Sequence, residues 1–246
     1  MELTTHTEAD PAADVAYSRA LLERVARGGA PAVRLWRPLR PALSLGRIDL
    51  QHPNVGEVIE AAAAAGVTPV RRLAGGRAAA FDERCLCLAW SEPAPKLEEW
   101  QGRYEAMADV LVAAFRRLGV VAETGELEGE WCPGAWSVRG PHGKLAGLAQ
   151  RIIVGGAWCE ALIVIDRGPE LTALSRRAHE LLEIPWSEAA QGGLARELPD
   201  ADDPHALLAA ALLDVLRERV PGLREADPDP GTLRRARELA DEQRLL

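Results

Sequence analysis

The chain predicts a mixed α/β fold of the α+β kind, with helices packed on a largely antiparallel sheet, and three observations predict it. Apolar residues recur every three or four positions over long stretches, as a helix with one buried stripe requires. Between those stretches lie short runs rich in Val, Leu, Ile and Trp, bounded by glycine and proline, the pattern of strands. Two such runs, 144–154 and 157–166, are divided only by Gly155-Gly156, a hairpin spacing that makes the sheet at least partly antiparallel.

Each element follows from local signals. Asp10 can cap free amides and Pro11 suits a first helical position, so a helix is expected over 11–27, ended by Gly28-Gly29. Strands at 32–36 and 42–46 are expected to join through a turn at Pro38 to Pro41. A second helix runs over 55–65 to Gly66. The apolar stretch 67–70 then leads into a loop at Gly75-Gly76 between strand-like segments. The longest helix carries Leu97, Trp100, Tyr104, Met107, Leu111, Phe115 and Leu118 on one stripe and stops at Gly119. An acidic loop is expected at 123–130 and a strand near 135–139. Further on come a helix at 169–182, a loop at 184–198, and helices at 204–220 and 231–246. No repeat and no Ser/Gly linker divides the chain, so residues 1–200 are expected to form one α/β domain and 201–246 a helical extension.

Composition narrows the function. A chain of 246 residues, 48% hydrophobic and 27% charged, buries about 70–75% of its unfolded surface without a metal or disulfide staple. No apolar run approaches the ~20 residues of a membrane-spanning helix, so membrane insertion is not expected. The polar, acidic N-terminus is unlike a secretory signal, which places the protein in the cytoplasm by expectation. A net charge of −8 argues against nucleic acid as a partner. The four cysteines, Cys85, Cys87, Cys132 and Cys159, include no CxxC pair, so neither a zinc ribbon nor a redox dithiol is indicated. Of the 29 basic residues only Lys96 and Lys144 are lysines, so a lysine inside a motif draws notice.

Two segments could carry chemistry. In Arg71-Arg72-Leu73-Ala74-Gly75-Gly76-Arg77, paired glycines let a ligand approach the backbone while arginines balance an anion's charge; a tight turn with solvated arginines is the alternative. In Gly143-Lys144-Leu145-Ala146-Gly147-Leu148-Ala149-Gln150-Arg151, a lysine opens an apolar strand and can project its ammonium into a cleft; a solvent-exposed strand end is the alternative.

These two segments, with Arg34-Leu35-Trp36 and Pro41-Ala42-Leu43-Ser44-Leu45-Gly46-Arg47 upstream, occur in the order in which the lipoate-protein ligase A family and the related octanoyltransferases carry them. The chain resembles that family over about residues 10–195. The resemblance implies a biotin/lipoyl ligase-like fold that attaches a lipoyl or octanoyl group to one lysine of a lipoyl domain or glycine cleavage H protein. In the ligases, ATP and magnesium first activate lipoate or octanoate as an acyl-adenylate. By position, Arg72, Gly75 and Gly76 would line the acyl site and Lys144 would touch phosphate and acyl carbonyl. Arg71, Arg77, Asp82, Gly147 and Gln150 are the further candidates for substrate contact. A ligase of this kind is the first expectation. An octanoyltransferase drawing on acyl carrier protein, with no cofactor, is the second, and a non-catalytic acyl- or protein-binding homologue the third.

The departures matter. Phe81-Asp82 stands where the family carries histidine before aspartate, and Cys159-Glu160-Ala161 where many members carry histidine-glycine. Gly75-Gly76-Arg77 looks more like the transferases. Cys132 is then a candidate acyl-thioester nucleophile. Strict register puts the transferases' cysteine nearer Gly129, however, and only Arg139 and His142 are basic close by in sequence, so a buried structural thiol is the expected reading. Cys85 and Cys87 alternate on one strand face as small buried thiols, and His142 is expected to be a turn residue.

Overall fold

A computed structural model describes residues 1–94 and 99–246. In chain order the elements are β1 (Glu2–Thr4), α1 (Pro11–Ala26), β2 (Ala32–Trp36), β3 (Ala42–Leu45), α2 (Val55–Ala64), β4 (Thr68–Arg71), β5 (Ala79–Phe81), β6 (Cys85–Ala94) and α3 (Trp100–Arg117). There follow β7 (Glu123–Thr124), β8 (Val138–Gly140), β9 (Gly143–Ile153), β10 (Gly155–Val164), α4 (Pro169–Leu181), α5 (Leu194–Glu197), α6 (Pro204–Arg219), β11 (Arg224–Glu225) and α7 (Pro230–Gln243). Lys96 and Leu97 lie outside the described residues.

The strands form an eight-stranded sheet, β11-β1-β2-β6-β10-β9-β8-β7, and a three-stranded sheet, β4-β3-β5. The large sheet is antiparallel from β2 to β7, with β1 parallel to both β2 and β11. The mixed, mostly antiparallel α/β class is therefore as expected. The sheet's two faces follow from the period of two along a strand. Val33, Leu35, Leu86, Leu88, Cys159, Ala161 and Ile163 face α3 and α6, where Met107, Leu111, Phe115, Leu212 and Leu216 complete the main core. The alternate residues, among them Trp36, Cys87, Trp158, Glu160 and Leu162, face α1, the glycine loop and the small sheet.

Local physics sets the ends of the elements. Asp10 Oδ1 accepts from the Ala12 N–H at 3.2 Å with Pro11 at the first helical position, as the sequence predicts for α1. Asp203 and Asp229 cap α6 and α7 in the same way. Residues past 200 belong to the same packing: α6 supplies Leu208, Leu212 and Val215 to the main core, and α7 lays Ala236, Leu239 and Ala240 on α1.

Four expectations are corrected. Segments 32–36 and 42–45 are not a hairpin: both edges of β2 are filled by β1 and β6, so the chain leaves the large sheet through Pro38 and Pro41, and β3 becomes the centre of the small one. The turn between β9 and β10 falls at Val154-Gly155, one residue early, because Gly156 pairs with Ile153; a Cβ on Gly155 would lie 2.6 Å from the Ala26 carbonyl. The loop expected at 123–130 begins with β7, and the strand expected at 135–139 starts only at Val138. Both β1 and β11 escape the sequence reading, being too short to show a period.

Candidate active site

Backbone geometry brings the two motif segments together. A Cβ on Gly46, at the end of β3, would lie 1.9 Å from the Gly76 carbonyl oxygen, so only glycine there lets the 72–78 loop pack down on the small sheet. Asp49 fastens the loop: its buried carboxylate accepts from the Gly46 N–H at 3.0 Å and from Arg77 Nε at 2.6 Å. The loop in turn presents Arg72, whose Nη1 donates to the Arg77 carbonyl at 2.6 Å and to Cys132 Sγ at 3.0 Å. The Arg77 backbone N–H also donates to that sulfur, at 3.3 Å.

Cys132 has φ of 43°, a left-handed conformation that a non-glycine residue holds only when its surroundings impose it. Lys144 imposes it. Its ammonium, fully buried, donates to the carbonyls of Trp131 at 2.8 Å and Cys132 at 3.0 Å, and to Glu130 Oε1 at 3.2 Å. It also lies 4.2 Å from the centre of the Trp131 ring. Three bonds use all three donors of an ammonium. Glu130, also fully buried, accepts in addition from Ser137 Oγ at 2.6 Å and from the N–H groups of Gly134 and Leu127.

The thiol's surroundings decide its charge. Burial pushes Cys132 upward, but the charges of Arg72 and Lys144, with the bonds from Arg72 and the Arg77 N–H, outweigh it and hold the thiol below its ordinary value. Burial is the largest influence on the other three and raises them all: Cys85 is pushed up to about 11, and Cys87 and Cys159 are also raised, with nearby carboxylates adding to the rise at both. Beside Arg72 opens an apolar slot between the large sheet, α1 and β5, lined by Trp36, Leu73, Ala74, Phe81, Trp158 and Leu162. Arg72, which bonds the Cys132 sulfur, is itself part of the lining, and Ala79 and Leu162 in the same lining pack in the cluster that holds Cys132, so the slot adjoins the thiol's surroundings.

Of the residues expected in the site, Arg72, Gly76, Cys132, Lys144 and Gly147 come together. A Cβ on Gly76 would press on Arg72 Nη1 and Cys132 Sγ, and one on Gly147 would lie 2.7 Å from the Trp131 ring. Gly75 leaves an open face, with no atom within 4 Å of a would-be Cβ. Arg77 contributes its N–H, while its side chain turns to Asp49. Lys144 neither projects into a cleft nor stands at an exposed strand end; it turns inward to pair with the buried carboxylate of Glu130. Three candidates lie elsewhere. Arg71 is exposed at the end of β4. Asp82 binds Arg84 through its N–H and guanidinium, bracing the turn into β6. Gln150 Nε2 donates to the Trp100 carbonyl at 2.9 Å, on the opposite face of the sheet. Glu130 and Asp49 are functional supports that sequence reasoning misses, since nothing in the composition around a carboxylate announces that it is buried. Among the described residues, no three or more His, Cys, Asp or Glu cluster so as to hold a metal ion, and no helix is long and apolar enough to cross a membrane.

The model of the lipoyl protein ligase A/B catalytic domain family matches residues 10–178. An octanoyl-[GcvH]:protein N-octanoyltransferase of Geobacillus kaustophilus is 31% identical over 170 residues, covering 68% of this chain and 59% of the relative. A lipoyl-[GcvH]:protein N-lipoyltransferase of Listeria monocytogenes is 29% identical over 167 residues, covering 65% and 60%. The match thus spans about three fifths of each of these relatives. The fold is shared with lipoate-protein ligase A bound with ATP, at TM-score 0.76 and 19% identity over 98% of this chain and 94% of the other. It is shared too with the bipartite lipoate protein ligase of Thermoplasma acidophilum, at TM-score 0.73 and 19% identity over 98% and 92%.

Proposed function

The chain belongs to the lipoyl protein ligase A/B catalytic-domain family, and from that premise we propose that it moves an octanoyl or lipoyl group between lysines of carrier proteins through a thioester on Cys132. One observation carries the reading: a thiol held by Arg72 at 3.0 Å and by the Arg77 N–H at 3.3 Å, where Arg72 also lines an apolar slot. The relatives' names support octanoylated or lipoylated H protein as donor and a second protein as acceptor, so H protein supplies the acyl group.

The steps use the residues in place. The Cys132 thiolate attacks the acyl carbonyl, and the developing oxyanion meets the Arg72 guanidinium. The carbon–nitrogen bond breaks, the donor lysine leaves as an amine that takes its proton from water, and the acyl group rests on sulfur. The acceptor amine then attacks the thioester, the carbon–sulfur bond breaks, and the amine's proton is released as the thiolate returns. Lys144 fixes the backbone that aims the sulfur and touches no substrate.

The ATP-dependent ligase reading fits these residues less well. It needs the Lys144 ammonium at a phosphate, and all three donors are engaged within the protein. A purely acyl-binding homologue would have no use for a cysteine held in a left-handed conformation against two cations.

The test uses the whole protein. Mixed with octanoylated H protein and no acceptor, it should gain the mass of one octanoyl group, removed by hydroxylamine, and Cys132→Ser should gain none that hydroxylamine removes. Octanoyl carrier protein as donor, and free octanoate with ATP and magnesium, are the comparison arms. Acceptor acylation only with ATP, undiminished in Cys132→Ala, would overturn the proposal.

A further inference from the structure

An acidic side chain lies where the acyl chain would run. Glu160, on β10 between Trp158 and Leu162, faces the apolar slot, and among the described residues no donor bonds to its carboxylate. The titratable and charged groups facing it are Arg72 of the glycine loop, Arg34 of β2, Asp14 of α1 and Cys87 of β6. None is its partner. Arg34 bonds Asp14, Ser18 and the His6 carbonyl; Arg72 Nη1 bonds Cys132 and the Arg77 carbonyl; the Cys87 thiol is pushed well up by burial and stays neutral. An alkyl chain laid against an ionised carboxylate in such a slot would strip its remaining water and supply no hydrogen bond, which a charged group resists and a neutral acid tolerates.

We propose that Glu160 is a specificity determinant of the acyl slot: the octanoyl or lipoyl chain is accepted over the neutral acid only, so that binding of the acyl group takes up one proton at Glu160. This rests on the slot being the acyl site of the transfer proposed above. Withdrawal from water raises the Glu160 carboxyl to about 7, against the downward pull of Arg72 and Arg34. Affinity is therefore full at low pH and falls as pH rises through that value. Because apparent affinity scales with the binding-competent fraction, the loss from pH 6 to pH 8 is about tenfold.

The test is calorimetric binding of N-methyloctanamide, a neutral mimic of the acylated lysine with no titrating group, to the full chain at pH 6 and pH 8. Buffers of different ionisation enthalpy count the protons. Wild type should bind about tenfold more weakly at the higher pH, with uptake approaching one proton there. Glu160→Gln should bind at both pH values with the wild-type affinity of pH 6 and take up none. No binding at either pH, binding that does not change with pH, or a pH dependence surviving in Glu160→Gln would overturn the inference. The proton count on wild type stands whether or not the variant folds. Thioester formation on Cys132, followed separately by mass, distinguishes the two readings: a proton-linked slot without a thioester sinks the transfer mechanism, and a thioester with pH-independent binding sinks this inference.

Discussion

Replacing Lys144 by methionine tests whether a buried ammonium, rather than a free one, is what the nucleophile depends on. Methionine is unbranched and of similar length, so overpacking and cavity costs are small. What is lost is the counter-ion of Glu130, a carboxylate with no exposure, together with the donors to the Trp131 and Cys132 carbonyls. Stranding one member of a buried pair costs about 3–5 kcal/mol. Glu130 keeps Ser137 Oγ and two backbone N–H groups, which favours the lower end of that range, while the two abandoned carbonyls push the other way. At about 2–4 °C per kcal/mol for a chain of this size, the melting temperature should drop by about 6–20 °C. Acylation of Cys132 should fall by about 10²–10³, the usual loss when a preorganised electrostatic arrangement is broken. Adding Glu130→Gln removes the stranded charge, so the double variant should recover part of the stability and none of the acylation, because the Cys132 backbone is still unheld. Thermal unfolding by circular dichroism and acyl-enzyme mass report the two effects. A Lys144→Met melting temperature within about 2 °C of wild type, or a double variant that acylates normally, would refute the reasoning.

The remaining predictions concern the thiol and its loop. Iodoacetamide at neutral pH should label Cys132 ahead of Cys85, Cys87 and Cys159, with a rate that levels off at lower pH than for a free thiol; Arg72→Met should raise the thiol and slow labelling, as peptide mapping can show. Gly76→Ala places a Cβ 2.7 Å from Arg72 Nη1 and 2.8 Å from Cys132 Sγ at a φ of 104°; it should cost about 1–3 kcal/mol in denaturant unfolding and erase the labelling advantage of Cys132. Asp82→Ala, which loses the bonds to Arg84, should cost about 1–3 kcal/mol while per-molecule acyl transfer at a permissive temperature stays at wild-type rate; a rate loss would return Asp82 to the substrate site.

The helices and most strands are legible because their periods are local, and Asp10, Pro11 and the stripe from Trp100 to Leu118 need no tertiary information. Strand parity goes further than the motif reading took it. Gly147 and Gln150 are three residues apart on one regular strand, so they must face opposite sides of the sheet; Gly147 meets Trp131 and Gln150 meets Trp100. The same parity puts Glu160 with Trp158 and Leu162 in the slot. Cys132 shows where counting along the chain fails. Its distance in sequence from Lys144 sets nothing, since Lys144 reaches back directly to the carbonyls of residues 131 and 132. Nor do the neighbours in sequence supply its charge: Arg139 pairs with Glu123 and His142 with Glu197, while the guanidinium on the sulfur comes from Arg72, sixty residues upstream. A thiol's acidity is a property of the groups that surround it in space, and for a cysteine in a loop those are set by which distant backbone can come close. Gly46 permits that approach here, because any side chain at that position would hold the Arg72 loop away from the sulfur.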